Sequence, residues 1–205
     1  MERLSTFQAL QGSLPGAEIP WLDQHRRQSL AAFVAHGFPT TRDEEWQYLP
    51  ASSFSSTQFN PLEPKVEDHF NEDLKLPGCL TLVFKDGQRI SSDKDPLPEG
   101  VEILDLKDAF QKRPEAIQTL LDLPESASQH SLSQFIAALA GEGVWIRIAA
   151  GTRVTQPIQI LHLSERQDQL SVLRHFIQLE KNAEATLIES HVGKNQTPYL
   201  ALSMT

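Results

Sequence analysis

Few residues of this 205-residue chain have the type and spacing that chemistry demands, and they fall in three places. His162, His175 and His191 lie in the last third, with Glu189 two residues before His191. Imidazole and carboxylate are the donors of zinc and non-haem iron sites. Cys79 is the single cysteine. A nucleophilic thiol needs a neighbour that favours the thiolate, usually histidine. Nothing in the sequence brings His69 or His130 to it, so Cys79 reads as a small buried residue. The third place is the block Arg42-Asp-Glu-Glu-Trp-Gln-Tyr48. Asp43 and Glu45 have the types of an acid–base carboxylate pair. The same acidic segment after Thr40-Thr41 has the make-up of a capped helix N-terminus, with Trp46 and Tyr48 as core anchors. The structural reading outweighs the catalytic one. No Gly-rich phosphate loop, Gly-x-Ser-x-Gly or His-Glu-x-x-His motif occurs.

The elements that must position these residues differ between the two parts of the chain. Residues 1–140 carry 12 Lys+Arg and 21 Asp+Glu, and residues 141–205 carry 6 of each. The net charge of −9 therefore belongs to the first part. Eleven of the 13 prolines also fall there, while the last 65 residues hold as many Val, Ile and Thr as the first 140. β-Branched residues favour strands. The expectation is a proline-punctuated mixed α/β region, 1–140, followed by a β-rich region, 141–205. An acidic chain lacks the basic footprint of nucleic-acid binding. One cysteine excludes a disulfide framework or a multi-cysteine metal cage from these residues alone. No apolar run of membrane-spanning length and no basic start followed by an apolar stretch is present, so a cytoplasmic protein is expected.

In the first region, Leu4–Leu10 reads as a short helix. Pro20–Ala35 reads as a longer one, with Trp21, Leu22, Leu30, Phe33 and Val34 as its apolar stripe and Gly37 just past its end. Pro50–Pro64 reads as irregular chain. Leu80–Phe84 and Arg89-Ile90 read as a hairpin around Asp86-Gly87. Val101–Leu104 reads as a strand, and Pro114–Leu121 and Leu132–Ala140 as helices.

The second region repeats itself. Ile146–Thr155 overlays Ile177–Thr186 at an offset of 31 residues. Each block has alternating apolar residues, then Gly151 or Asn182, the types that best tolerate left-handed backbone. Each runs into a second alternating segment, Pro157–Leu161 or Leu187–His191. Strand, corner and strand repeated near this length suit a stacked β-solenoid. The same offset places His162 and His191 on adjacent rungs, two residues out of register and facing alike. They read as polar positions on the outer face, and no metal ligand is assigned. The chain ends within a third apparent strand, Tyr199–Thr205, with no capping element. This suggests a piece of something longer, or an edge covered by another chain.

Phe38-Pro-Thr-Thr-Arg-Asp-Glu-Glu-Trp-Gln-Tyr48, followed by Gly141–His162 and Arg174–Gly193, resembles the SufB/SufD family of iron–sulfur cluster assembly proteins. Within that family the blocks look most like the SufD branch. The resemblance implies a mixed α/β N-terminal region followed by the first turns of a right-handed parallel β-helix. It implies a non-enzymatic scaffold subunit that contributes to iron supply, with a SufB-like paralogue and a SufC-like ATPase as partners. Family members are longer, so the chain would correspond to the N-terminal part, without the helices that engage the ATPase. The cluster-building Cys, His and Glu residues of the family lie further along and have no counterpart in residues 1–205. No catalytic, cofactor-binding or metal residue is therefore carried over. No cofactor is expected on this stretch, the iron–sulfur cluster sitting transiently on the full complex. Edge-to-edge self-association is the remaining expectation for the fragment. The competing readings are a β-helix carbohydrate-active enzyme, which would need paired carboxylates on the solenoid face, and a bare interaction module that recruits a partner by strand addition.

Overall fold

The computed structural model describes residues 7, 10–41, 69–90, 96–121, 131–166, 169–193 and 199–204. The block from Arg42 to Tyr48 and the stretch Pro50–Pro64 lie outside them, as does most of Leu4–Leu10.

Helix α1 is Pro20–His36. Proline fits its first turn because the missing N–H would have no partner there. Gly37 closes it at φ 76° and donates its N–H to Phe33 O. The hairpin forms as its turn chemistry predicts: β1 is Leu80–Lys85, β2 is Gln88–Ile90, and Asp86 and Gly87 turn at φ 47° and 81°. Then follow β3 (Val101–Asp105), α2 (Leu106–Lys112), α3 (Pro114–Leu121) and α4 (Ser131–Leu139). The remaining strands are β4 (Val144–Ile148), β5 (Ile158–Ser164), β6 (Gln169–Arg174), β7 (Phe176–Leu179), β8 (Leu187–Gly193) and β9 (Tyr199–Met204).

These strands make three sheets, ordered β2-β1-β5-β8, β3-β4-β7 and β6-β9, none closed into a barrel. Every pairing among β4 to β9 is parallel. The chain passes once through the three sheets as β4, β5 and β6, then again as β7, β8 and β9. Trp145 pairs with Phe176, Ile158 with Leu187 and Gln169 with Tyr199. Gly151 and Asn182 take positive φ, 71° and 59°, as their shared corner position requires. The sheets also run across residue 141. β1 adds in parallel to β5, and β3 adds antiparallel to β4.

Alternation divides each strand between an interior and an outer cover. Leu80, Leu82 and Phe84, Val144, Ile146 and Ile148, and Ile158 and Ile160 share one buried cluster between the sheets. The opposite side of β4 and β7, Trp145 and Phe176, packs under Leu22, Leu106, Phe110 and Ile117 of α1, α2 and α3. Leu170 and Val172 of β6 pack with Leu30 and Phe33 of α1 and Phe135 of α4. Val83, Ile90, Leu161 and Leu163 pack with Phe70. Strands covered on both faces read as near-continuous apolar runs, and β5 is buried at all seven positions.

Two expectations are corrected here. Val34 is 47% exposed and does not belong to the α1 stripe. The buried face is Leu22, Arg26, Ser29, Leu30 and Phe33. Arg26 lies on it because its guanidinium donates to Pro15 O at 2.9 Å and Ala140 O at 3.1 Å. Burial lowers its pKa to about 10, so it stays charged at neutral pH. Gln11 donates to Arg26 O and Ala138 O, completing a polar clamp between α1 and the end of α4. Cys79 is half-buried rather than buried, one residue ahead of β1.

Gly143 sits where the first pass enters β4. Its φ is +146°, and a Cβ there would lie 1.8 Å from Arg174 O. The approach is fixed, since Arg174 N–H donates to Glu142 O and Leu106 N–H to Gly143 O. Gly143→Ala is expected to destabilise the fold by roughly 3 kcal/mol or more, because backbone rather than a flexible side chain must move. Gly12→Ala, with open space at the new methyl, should be near neutral. Denaturant unfolding of the two variants checks the contrast.

Candidate functional site

The interior column on β1, β5 and β8 changes character along its length. Leu80, Ile158 and Leu187 are in register, then Leu82, Ile160 and Glu189, then Phe84, His162 and His191. Alternation on a strand that begins with inward Leu187 sends Glu189 and His191 to the same side. The polar end of this column is the candidate site.

The register here corrects the sequence expectation. The 31-residue offset holds for β4 and β7, but β5 and β8 pair at 29. The difference lies in one corner. Arg153 bridges Glu184, still at 31, and Ile158 then pairs with Leu187. Four residues separate Arg153 from Ile158, and two separate Glu184 from Leu187. The shorter second corner brings His191 directly opposite His162 instead of two positions away. Nor is His162 an outer-face position: it is 3% exposed and His175 2%, while the side chain of His191 is 50% exposed.

The rings of His162 and His191 stack at 4.4 Å between centroids and 9° between planes. Phe84 stacks on the other side of His162 at 5.7 Å. His175, in the corner between β6 and β7, lies 5.0 Å from Phe84 and 5.4 Å from His162 between ring centroids. Its Nδ1 accepts the Val144 N–H at 3.3 Å. Glu189 Oε1 lies 3.0 Å from His162 Nε2 and 3.2 Å from His191 Nε2. His162, His175 and Glu189 each offer a donor atom, all within 4.8 Å of one another. Nδ1 of His162 and Nε2 of His175 are buried and make no hydrogen bond among the described residues, while Nε2 of His162 faces Glu189.

Burial sets the charge state. Desolvation, with His191 adding to it and Glu189 opposing, lowers the His162 pKa to about 4. Desolvation and then His162 lower that of His175 to about 3. Both rings are neutral near pH 7 and able to act as donors to a cation.

The repeat offset points to His162 and His191 as neighbours, with Glu189 on the same side as His191 by alternation, and the structure brings all three together, His162 buried and the other two partly exposed. His175 joins them without any such signal, because its place in a corner is a tertiary fact with no periodic signature. Asp43 and Glu45 lie outside the described residues. Two other carboxylates of the repeat are engaged elsewhere. Glu180 pairs with Arg147 and accepts the Ala150 N–H, and the Arg147 bond holds its carboxyl below the usual range. Glu184 pairs with Arg153 at 3.2 Å.

Acid sensitivity follows from the buried rings. Unfolded histidine binds its proton near pH 6.5 and these two far lower, so the unfolded chain takes up more protons as pH falls. Their contribution is complete above about pH 6.5 and is lost as pH drops toward 4, by up to about 3 kcal/mol for His162. Denaturant midpoints measured in chelator should fall over that range. A His162→Gln variant should flatten the fall between pH 6.5 and 5; an unchanged slope would contradict the assignment.

A family model described as the SufBD protein N-terminal region matches residues 3–160. The chain is 27% identical over 183 residues to the iron–sulfur cluster assembly protein SufD of Escherichia coli strain K12. That alignment covers 86% of this chain and 40% of the relative, so the chain spans less than half the relative's length.

Proposed function

The chain belongs to the SufB/SufD family, most like the N-terminal portion of SufD, and from that premise we propose that it forms the first part of a scaffold subunit for iron–sulfur cluster assembly. The family match over most of the chain carries this reading. The parallel pairings of β4 with β7, β5 with β8 and β6 with β9 support taking residues 141–205 as the opening coils of a right-handed parallel β-helix. The region 1–140 then serves as a mixed α/β cover that buries the outer faces of those coils.

In this reading the subunit is not an enzyme. It pairs with a SufB-like paralogue along the β-helix, engages a SufC-like ATPase through helices beyond Thr205, and contributes to iron supply in the cytoplasm. No helix among the described residues is long and apolar enough to cross a membrane. The carbohydrate-active alternative draws no support from Glu180 and Glu184, since each is held in an ion pair with an arginine one pass away. The iron–sulfur cluster is cargo here.

Co-expression tests the division of labour. The full-length natural protein, affinity-tagged, is expected to co-purify with both a SufB-like and a SufC-like partner. Residues 1–205 alone are expected not to retain the ATPase. Retention by residues 1–205 would overturn the placement of the ATPase contact, and failure of the full-length protein to hold either partner would overturn the scaffold reading.

A further inference from the structure

We propose that the cluster of His162, Glu189 and His191, at the partly exposed polar end of the interior column, binds one divalent first-row transition cation, iron(II) or zinc, with His175 orienting a water on the metal. The inference stands apart from the family reading, because it rests on donor atoms and their surroundings.

Glu189 faces both imidazoles. Glu189 Oε1 lies 3.0 Å from His162 Nε2 and 3.2 Å from His191 Nε2. Ligand atoms around a tetrahedral centre with bonds of roughly 2.0–2.1 Å stand about 3.3–3.4 Å apart. The two Glu189 distances need to grow by only a few tenths of an ångström, and His191 must also turn. Two imidazoles and one carboxylate, with a position left to water, suit iron(II) or zinc. Calcium and magnesium prefer all-oxygen sites.

The surroundings point the same way. His162 and His175 are buried to 3% and 2% exposure, with no hydrogen bond among the described residues on Nδ1 of His162 or on Nε2 of His175, and with Glu189 alone facing Nε2 of His162. An unpartnered buried polar group costs on the order of 1–3 kcal/mol. Two such rings beside a carboxylate, in a column otherwise made of Leu, Ile and Phe, add to the cost of the apo fold without stabilising it. A cation on His162 Nε2 that carries a water gives that nitrogen a bond and the His175 N–H an acceptor.

The roles differ by position. His175 Nδ1 accepts the Val144 N–H, so its proton sits on Nε2. That nitrogen is a donor, suited to a metal-bound water rather than to the metal. The rings of His162 and His191 are stacked only 9° from parallel, so their in-plane lone pairs do not meet at one point. His191 must turn. Its side chain is 50% exposed, and that of Glu189 is 29% exposed, against 4% for His162. The more exposed imidazole and the carboxylate thus lie on the accessible side, and the buried imidazole at the back.

Chelator-treated chain titrated calorimetrically with Zn2+, and anaerobically with Fe2+, is expected to take up about one equivalent of either. Co2+ substitution should give the visible bands of a nitrogen–oxygen site. Glu189→Gln and His191→Gln, both at solvent-accessible side chains, are expected to leave the fold intact by circular dichroism and each to weaken binding about tenfold or more. His36→Gln, at the exposed end of α1, should not change it. Binding well below one equivalent, or binding that survives both Glu189→Gln and His191→Gln, would overturn the proposal.

Discussion

The parallel register of the stacked strands is the constraint on which the rest of the structure depends. Once β4 pairs with β7 and β5 with β8, each inward residue has a neighbour one strand away in a line through the interior. Alternation decides which residues enter that line. Leu82 under Ile160 under Glu189, and Phe84 under His162 under His191, follow from register alone. The first region is tied to the same frame, because β1 extends one line and β3 extends the sheet of β4. The helices then have no independent core. They pack on whatever β4, β6 and β7 present outward, chiefly Trp145, Leu170, Val172 and Phe176.

Much of this is legible in the residues. The hairpin at Asp86-Gly87, the helix opened by Pro20 and closed by Gly37, and the corners at Gly151 and Asn182 carry local chemistry that survives any packing. What is not legible depends on partners distant in sequence. Arg26 breaks the apolar stripe of α1, and only the carbonyls of Pro15 and Ala140 explain why a guanidinium is buried there. Val34 fits the stripe by spacing but meets solvent. His175 belongs to the candidate site because its corner lies over Val144, and no pattern within one strand marks a corner residue. For His162 two signals compete. The polarity of imidazole argues for an outward position, and alternation with Ile158 and Ile160 argues for an inward one. The packing follows alternation, because a strand cannot turn one side chain over without turning its neighbours.

The interior line illustrates how a polar cluster is housed in an apolar stack. Leu80, Leu82, Ile158 and Ile160 exclude water from one end of it. His162 is held flat between the rings of Phe84 and His191, with its Nε2 toward Glu189. Its ring orientation is thus a packing property, whereas that of His175 is set by one backbone amide. Two histidines of similar burial therefore owe their geometry to different forces.

The unequal corners have one consequence of parity. The second corner is two residues shorter than the first, and two is the period of a strand. An even change slides one face past its neighbour while keeping every side chain on its own side. An odd change would turn the line inside out, sending Leu187, Glu189 and His191 to the exterior. Corner length thus acts as a vernier between the sheets. It resets which residues stand opposite one another on the face of β5 and β8, and leaves the pairing of β4 with β7 untouched.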